Sequence, residues 1–216
     1  MSVVTIERKI LEKNDEIARR NRDFFRSRGL FVINVVSSPG AGKTSLLERT
    51  LEHLKGKVPI AVIEGDVQTD LDAQRIARYS VPAIQIVTHG GCHLEAKLIE
   101  DAVKAMDLRG IRLLIIENVG NLVCPANYDL GEDLKVVIAS TTEGDDKPLK
   151  YPGMFRNAQV LIVNKTDLVP YINCSLETLK ANARNVNPSL EVFETSCTTG
   201  QGIPEWCEWL TRHAAR

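Results

Sequence analysis

Ile33-Asn34-Val35-Val36-Ser37-Ser38-Pro39-Gly40-Ala41-Gly42-Lys43-Thr44 is the stretch that decides the fold, and Ser45-Leu46-Leu47 follows it. A β-branched apolar run leads into a turn rich in glycine and proline, and Lys-Thr then opens a segment with apolar residues at helical spacing. This order predicts a strand, a phosphate-binding loop and a helix, which together form the Walker A motif. Ser37 stands where the motif usually has its first glycine. A chance glycine-rich turn before a helix is the alternative interpretation.

Phosphate binding is the chemistry that this loop predicts. Its glycines let backbone N–H groups converge on phosphate oxygens, and the helix N-terminus adds a partial positive charge. Lys43 is predicted to reach the β- and γ-phosphates, and the hydroxyl of Thr44 to contact Mg²⁺. The predicted loop contacts are Gly40, Ala41, Gly42, Lys43, Thr44 and Ser45.

Length and composition are those of an ordinary globular protein. The 216 residues are 25% charged and 44% hydrophobic, and the net charge of -1 predicts no attraction to nucleic acid or to an anionic membrane. Charged residues close to the N-terminus argue against a signal peptide, and no apolar run approaches the roughly 20 residues that span a bilayer. Five cysteines without a disulfide framework indicate a reducing compartment, so we expect a cytoplasmic protein.

Strands and helices alternate along the chain. The predicted strands are Leu30–Val36, Pro59–Ile63, Ala83–Val87, Arg112–Ile116, Leu134–Ala139, Ala158–Val163 and Leu190–Glu194. The predicted helices are Thr5–Arg28, Ser45–Leu54, Asp70–Arg78, Leu94–Met106, Leu176–Asn185 and Pro204–His213, the last with Trp206 and Trp209 facing inward. Short, continuously apolar strands between helices predict an α/β fold with a mostly parallel β-sheet flanked by helices on both faces. We expect a single domain over residues 1–216, with an N-terminal helix in residues 1–29 packed on it.

A second motif, Asn164-Lys165-Thr166-Asp167, directly follows a predicted strand. The carboxylate of Asp167 can accept two hydrogen bonds from the N1–H and the N2 amino group of guanine, which adenine cannot supply. Lys165 is predicted to lie along the base, and Asn164 to tie this loop to the phosphate loop. A helix-capping turn is the simpler interpretation of such a tetrapeptide. Its position downstream of a phosphate loop favours guanine recognition.

Soft metal ligands form a third pattern. Cys92 and His93 are adjacent and follow two glycines, and Cys124 lies seven residues beyond Glu117. Thiolate and imidazole suit Zn²⁺, Ni²⁺ or copper better than Mg²⁺. One chain offers three good ligands, with His89 a weaker fourth, so we hypothesise a metal site at an interface between two copies. Burial of the two cysteines as small hydrophobic residues is the alternative.

Taken together, these motifs resemble the HypB family of GTPases, which help to insert nickel into [NiFe] hydrogenase. The resemblance extends from the first strand to about Gly202, and it implies a P-loop NTPase of the dimerising SIMIBI type. The segments that carry it are Ser37–Thr44, Glu64–Asp66, Cys92–His93, Glu117–Gly120, Cys124–Pro125 and Asn164–Asp167. It implies a slow GTP hydrolase that acts as a nickel-delivery switch and dimerises with GTP. Its implied partners are a HypA-type metallochaperone and the hydrogenase large subunit.

The resemblance also assigns site residues. Thr44, Asp66 and Glu117 look like the residues that contact Mg²⁺. Each lies at or just beyond the end of a predicted strand. Asp72 could orient the attacking water, whereas Asp70 reads better as the acidic first turn of a helix. The implied catalytic set is Lys43, Asp66, Asp72 and Glu117. The implied guanine contacts are Asn164, Lys165, Asp167, Ser196 and Cys197. The implied Ni²⁺ or Zn²⁺ ligands are Cys92, His93 and Cys124.

Several interpretations stay open at the level of sequence. Lys147 and Lys150 could bring positive charge across a dimer or could lie in a solvated loop, and no arginine is an obvious finger within the chain. Residues 1–36 contain neither Cys nor His, so we expect no nickel storage. Because Glu117 and Cys124 share one short segment, GTP is expected to change metal binding. The alternatives are a related metallochaperone GTPase for urease or a cobalamin enzyme, a P-loop small-molecule kinase, or a non-catalytic metal-binding module.

Overall fold

The computed structural model describes residues 3–67 and 71–215, with side chains for 9–67 and 74–215. Its strands are β1 (Phe31–Ser37), β2 (Ile60–Asp66), β3 (Ala83–Val87), β4 (Leu113–Glu117), β5 (Leu134–Ser140), β6 (Val160–Asn164) and β7 (Glu191–Glu194). Its α-helices are α1 (Val3–Ser27), α2 (Lys43–Leu54), α3 (Leu71–Ala77), α4 (Ala96–Ala105), α5 (Lys147–Lys150), α6 (Pro152–Asn157), α7 (Leu176–Val186) and α8 (Ile203–Ala214). Three 3₁₀ segments are Cys124–Asn127, Thr141–Glu143 and Thr166–Tyr171.

All seven strands form one parallel sheet in the order β3-β2-β4-β1-β5-β6-β7. The central strand β1 pairs on one side with β4, with Val35 opposite Glu117, and on the other with β5, with Ser37 opposite Ile138. The strand order reverses at β1, so the carboxyl end of β1 opens into the crevice where such sheets bind ligands. The predicted α/β fold is confirmed.

Apolar clusters cover both faces of the sheet. On one face α2 and α8 pack over β1, where Ile33 and Val35 point toward them, and on the other face Val32 packs with residues of α1 and α4. Trp206 is 2% exposed and donates its indole N–H to the hydroxyl of Thr50 at 3.1 Å, which confirms its predicted inward position. Burying a large apolar side chain contributes about 1.5–3 kcal/mol. Two-sided burial explains why the strands read as continuous apolar runs.

Helix α1 joins two segments that are distant in sequence. The buried amide of Asn21 donates to the carbonyls of Ala96 at 2.8 Å and Leu130 at 3.0 Å. The buried amide of Asn14 donates to the carbonyl of Asp129 at 2.8 Å and accepts from the backbone N–H of Ala96 at 2.9 Å. Because buried polar groups need partners, these contacts bind α1 to the start of α4 and to the loop before β5.

Element boundaries differ from the prediction in a few places. Helix α4 begins at Ala96 rather than Leu94, because the Leu94 N–H donates to the side chain of Asn118 and the Ala96 N–H to that of Asn14. Helices α5 and α6 were not predicted, since four and six residues are too short for a periodic pattern. The predicted start of a helix at Asp70 lies outside the described residues. Within the described ranges, no helix has both the length and the apolar character that crossing a membrane requires.

Candidate nucleotide and metal sites

The phosphate loop connects β1 to α2 and contains two glycines with left-handed backbone. Gly40 and Gly42 have φ values of 75° and 98°, which glycine adopts without steric cost. A Cβ atom on Gly42 would lie 2.5 Å from Nδ2 of Asn164, so the position has no space for a side chain. The same Nδ2 donates to the carbonyl of Ala41 at 3.0 Å. The loop after β6 is thereby fixed to the phosphate loop.

Ser37, the departure from the usual motif, contacts the lysine of the loop. The Lys43 ammonium donates to the Ser37 hydroxyl at 3.2 Å, and that hydroxyl donates to the carbonyl of Ser38 at 2.6 Å. On the other side of the loop, the ammonium of Lys147 donates to the hydroxyl of Ser38 at 3.1 Å and pairs with Glu143 at 3.1 Å. Two cations therefore lie beside the loop that would receive phosphate charge.

Hydroxyl and carboxylate groups meet at the carboxyl ends of neighbouring strands. Thr44, in the first turn of α2, donates its hydroxyl proton to Oε1 of Glu117 at 2.8 Å. Glu117 ends β4, and Asp66 ends the adjacent β2 and accepts from the N–H of Val67 at 2.5 Å. Oxygen ligands of this kind suit a hard divalent cation such as Mg²⁺. The side chain of Asp72 lies outside the described residues, as does all of Asp70.

A cavity of about 530 Å³ joins these groups. Its lining includes the guanidinium-bearing Arg75 of α3, which pairs with Glu48 at 2.5 Å and donates to the Ser45 hydroxyl at 3.4 Å. The motif search missed Arg75, because it lies in no motif and reaches the cavity only through the packing of α3 on α2. The other lining residues are Pro39, Gly40, Gly42, Lys43, Thr44, Gly65, Asp66, Val67, Glu117, Asn118, Val119, Gly120 and Lys165.

The far end of the phosphate loop adjoins the loop after β6 and the loop after β7. Lys165, with φ of 62°, donates from its ammonium to the carbonyl of Gly40 at 2.7 Å. The Ser196 hydroxyl donates to Oδ1 of Asp167 at 2.6 Å, and the Cys197 thiol lies 3.5 Å from Oδ1 of Asn164. Two pairs of the residues proposed for guanine are therefore in contact, and Lys165 contacts the phosphate loop.

Cys92, His93 and Cys124 form a compact cluster. One ligand atom from each lies within 4.8 Å of the other two, and all three side chains are partly buried. The cluster joins the segment before α4 to the first residue of the 3₁₀ segment Cys124–Asn127. His89 is exposed and lies outside this cluster in the described part of the chain. A single chain thus brings three soft ligands together, which fits nickel or zinc.

Electrostatics in this cluster favour a neutral imidazole and oppose a free thiolate. Burial lowers the pKa of His93, although the nearby carboxylate of Glu95 acts in the opposite direction. A hydrogen bond with Cys124 raises the pKa of the Cys92 thiol, and burial adds to the effect. The His93 ring packs against Tyr128 with ring centroids 3.9 Å apart. No sequence motif contains Tyr128, so its contact with His93 could not be predicted.

Lys147 and Lys150 differ in their surroundings. Lys147 is 15% exposed beside the phosphate loop, whereas Lys150 is 60% exposed and pairs with Asp146 at 2.6 Å. Lys150 therefore lies in a solvated position, the alternative that the sequence left open. Lys147 instead contacts the phosphate loop of its own chain. Each of the five cysteines, all in the described ranges, is a free thiol.

A family model described as the CobW/HypB/UreG nucleotide-binding domain matches residues 31–194. With the parallel sheet and the phosphate loop, this match defines a P-loop nucleotide-binding protein of the CobW/HypB/UreG class. A hydrogenase maturation factor HypB from Azotobacter vinelandii is 54% identical over 210 residues, which cover 97% of this chain and 69% of that protein. The chain belongs to the HypB family.

Two solved structures are similar over nearly their whole length. HypB from Helicobacter pylori in complex with nickel has a TM-score of 0.89 and 38% identity, with 94% of this chain and 95% of that chain covered. HypB from Archaeoglobus fulgidus has a TM-score of 0.88 and 38% identity, with 94% and 99% covered. The family expected from the motifs is confirmed, and the interpretation as a small-molecule kinase has no support.

Proposed function

We propose that this chain is a GTP hydrolase that acts as a nickel-delivery switch in the maturation of [NiFe] hydrogenase. Its membership of the HypB family and the nickel in the Helicobacter pylori structure support this proposal. In this proposal residues 1–216 act as one cytoplasmic domain that dimerises when GTP binds. A HypA-type metallochaperone and the hydrogenase large subunit are the proposed partners.

Guanine recognition is supported by Asp167, whose carboxylate would accept from the N1–H and N2 amino groups of the base. Ser196 already holds one oxygen of that carboxylate at 2.6 Å. Lys165 lies beside it with its ammonium on the Gly40 carbonyl at 2.7 Å. The loop proposed to bind the base and the phosphate loop are therefore joined by direct contacts within the chain.

Hydrolysis of GTP depends on positioning and charge neutralisation more than on reactive side chains. Lys43 is assigned to the β- and γ-phosphates. Thr44, Asp66 and Glu117 are assigned to Mg²⁺. Asp66 and Glu117 end β2 and β4, and the Thr44 hydroxyl contacts the Glu117 carboxylate. When bound, this ion would neutralise phosphate charge. Asp72 is assigned to orient the attacking water. Arg75, which lines the described cavity, is paired with Glu48, so we expect slow intrinsic turnover, below about 1 s⁻¹.

Metal binding is assigned to the thiolates of Cys92 and Cys124 and the imidazole of His93. Nickel is the proposed cargo, and zinc is a competing ion for the same ligands. Three ligands leave coordination positions that a second copy of the chain would complete. This is why we propose that the cluster lies at the interface of the GTP-bound dimer.

One observation carries the proposal: the nucleotide site and the metal cluster share the segment from Glu117 to Cys124. Glu117 contacts Thr44 at 2.8 Å, and Asn118 accepts from the N–H of Leu94, next to His93, at 3.1 Å. A movement of this segment on GTP binding would move both a thiol ligand and the neighbour of the imidazole ligand. By linkage, metal and nucleotide then change each other's affinity.

Calorimetric titration of Ni²⁺ into the GDP form and into the form with a slowly hydrolysed GTP analogue tests this proposal. We expect different nickel affinities or stoichiometries for the two forms, and a larger particle by light scattering with the analogue. Cys124→Ala should abolish the difference, and Cys174→Ala is the matched control because Cys174 lies outside the cluster. Equal nickel binding by both forms of the unmodified chain would refute the proposal.

A further inference from the structure

A chain of buried polar side chains connects the metal cluster to the nucleotide site through the interior of the sheet. Its members are Lys135, Glu132, Asn34 and Asn118, each at most 8% exposed. We propose that Lys135 is a positioning residue for the metal cluster, and that Glu132, Asn34 and Asn118 transmit the state of the nucleotide site to it. The inference rests on the proposed function for its nucleotide part, whereas its metal part can be tested without a nucleotide.

The ammonium of Lys135 donates hydrogen bonds to three backbone carbonyls. Lys135 lies in β5 and is 6% exposed, and its Nζ donates to the carbonyls of Pro125 at 3.0 Å, Ala126 at 3.2 Å and Tyr128 at 3.2 Å. An ammonium has three protons, so these contacts use its full donor capacity. Because all three of its protons are donated, the buried ammonium fixes the backbone path of the segment that carries these carbonyls.

The segment that Lys135 holds carries two groups of the metal cluster. Cys124 directly precedes Pro125, so its thiol is placed by the first of the three carbonyl contacts. Tyr128 supplies the third carbonyl and places its ring 3.9 Å from the ring of His93. One buried ammonium therefore determines the position of a thiol ligand and the packing of an imidazole ligand. Partners of this kind outside the ligand set tune metal sites in proteins.

From Lys135 the contacts continue across the sheet. Its Nζ lies 3.9 Å from Oε1 of Glu132, and that oxygen accepts from Nδ2 of Asn34 at 3.1 Å. Oδ1 of Asn34 accepts from Nδ2 of Asn118 at 3.1 Å. Asn34 lies in β1, the strand that leads into the phosphate loop. The chain thus crosses from β5 through β1 to the end of β4.

Asn118 closes the connection at the nucleotide end. It follows Glu117, the residue assigned to Mg²⁺, and its Oδ1 accepts from the backbone N–H of Leu94 at 3.1 Å. Leu94 follows His93, so Asn118 at one end of this series of side chains is joined to the segment of His93. Lys135 at the other end is joined to the segment of Cys124. A shift of Asn118 would break or remake contacts toward His93 directly and toward Cys124 through Asn34, Glu132 and Lys135.

Lys135→Met tests the positioning role without a nucleotide. The substitution keeps an unbranched apolar stem of similar length but removes the ammonium. We expect Ni²⁺ affinity to fall about 10- to 100-fold, with a changed thiolate-to-nickel charge-transfer spectrum, while GTP and GDP affinities stay within about threefold. Leu210→Ala is the control, since it opens the apolar core around α8, which contains none of the three metal ligands, and should lower the unfolding temperature without changing nickel affinity.

A paired variant keeps this test decisive if Lys135→Met folds poorly. Combining Lys135→Met with Glu132→Gln leaves no unpaired buried charge and preserves the acceptor for Asn34. The same loss of nickel affinity is expected. Nickel affinity and spectrum equal to those of the unmodified chain, in either folded variant, would overturn the positioning role.

Asn34→Leu tests the transmission. It removes the link between Asn118 and Glu132 and leaves Lys135 on its three carbonyls. Nickel affinity without nucleotide should stay within about threefold, whereas the ratio of nickel affinities in the GTP-analogue and GDP forms should fall toward one. An unchanged ratio would overturn the transmission. If the unmodified chain already has a ratio of one, the proposed function and this transmission both fail, and the positioning role of Lys135 is judged by the previous experiment.

Discussion

Single residues of the proposed guanine site hold one another in place through direct hydrogen bonds. The hydroxyl of Ser196 donates to the Asp167 carboxylate at 2.6 Å, and the N–H of Thr199 donates to the same hydroxyl oxygen at 3.1 Å. Hydrogen bonds to a charged group contribute about 1.5–3 kcal/mol, which is enough to separate guanine from adenine. Base selection is thus concentrated in one carboxylate that its neighbours hold in place.

Asp167→Asn is expected to weaken GTP binding about ten- to a hundred-fold, because the amide loses the charge that strengthens both bonds to guanine. It should also gain affinity for xanthosine triphosphate, whose C2 carbonyl can accept from the new amide. Competition with a fluorescent guanine nucleotide measures both effects. Ser196→Ala serves as the control and should weaken the two nucleotides alike. Full GTP affinity in Asp167→Asn would mean that this loop does not recognise the base.

Protonation of single ligands sets the pH dependence of metal binding. Metal ligands bind in their deprotonated forms, and the raised pKa of Cys92 means that a proton competes with the metal at neutral pH. The lowered pKa of His93 leaves the imidazole neutral at that pH. Nickel affinity should therefore rise from about pH 7 to pH 9 through thiol ionisation. Competition with a coloured chelator measures this rise, and a flat profile over that range would contradict the assignment.

At the scale of elements, the phosphate loop and the loop after β6 form one unit. The side chain of Asn164 donates to the Ala41 carbonyl at 3.0 Å, and that of Lys165 to the Gly40 carbonyl at 2.7 Å. Gly42 makes this possible, since any Cβ there would meet the amide of Asn164. The two loops must therefore move together, and the sites for phosphate and base cannot be deformed separately.

Gly42→Ala and Gly56→Ala form a matched pair that tests this unit. Both positions have left-handed backbone, with φ of 98° and 74°, so backbone strain alone should cost each variant about 1–2 kcal/mol of stability, measured by urea unfolding. Only at Gly42 does the new Cβ collide with Asn164, whereas nothing lies within 4 Å of a Cβ at Gly56. GTP affinity should fall at least tenfold in Gly42→Ala alone. Equal losses of GTP affinity in the two variants would show that backbone strain, not this contact, is responsible.

How much the sequence could predict also varies from element to element. Strands β4 and β6 are continuously buried and were visible as apolar runs, and the motif residues of both loops lie where their order implied. Lys135 reads in the sequence as an ordinary exposed charge in a strand. Its burial arises from the 3₁₀ segment Cys124–Asn127 folding over β5, which no periodic pattern records. Contacts between distant segments, such as the packing of Tyr128 against His93, could not be predicted from the sequence for the same reason.

At the scale of the whole molecule, both candidate sites lie along the carboxyl edge of one parallel sheet. The Thr44–Glu117 contact belongs to the nucleotide site, and the Asn118–Leu94 contact one residue later leads to the metal cluster. The two sites therefore share the loop after β4 instead of being separated by a domain boundary. If the proposed function is correct, this arrangement would make coupling a property of the fold.

Nickel and the GTP analogue are expected to change each other's affinity by the same factor, on the order of 5 to 150. The equality follows from linkage and does not depend on the mechanism of coupling. Four titrations complete the test: each ligand is titrated with and without the other at one protein concentration. Potassium in place of nickel gives the control for added ionic strength. A factor of one would leave the two sites energetically independent.

Because β1 precedes both of its partner strands, β4 and β5, in the sequence and is the central strand of the sheet, it emerges from the ribosome long before they do. Its Phe31 pairs with Leu113 of β4 and its Ile33 with Leu134 of β5. At translation rates of about 5–20 residues per second, the wait for both partners is roughly five to twenty seconds. During that interval its apolar side chains are exposed in the nascent chain, and we expect them to be a binding site for a ribosome-associated chaperone.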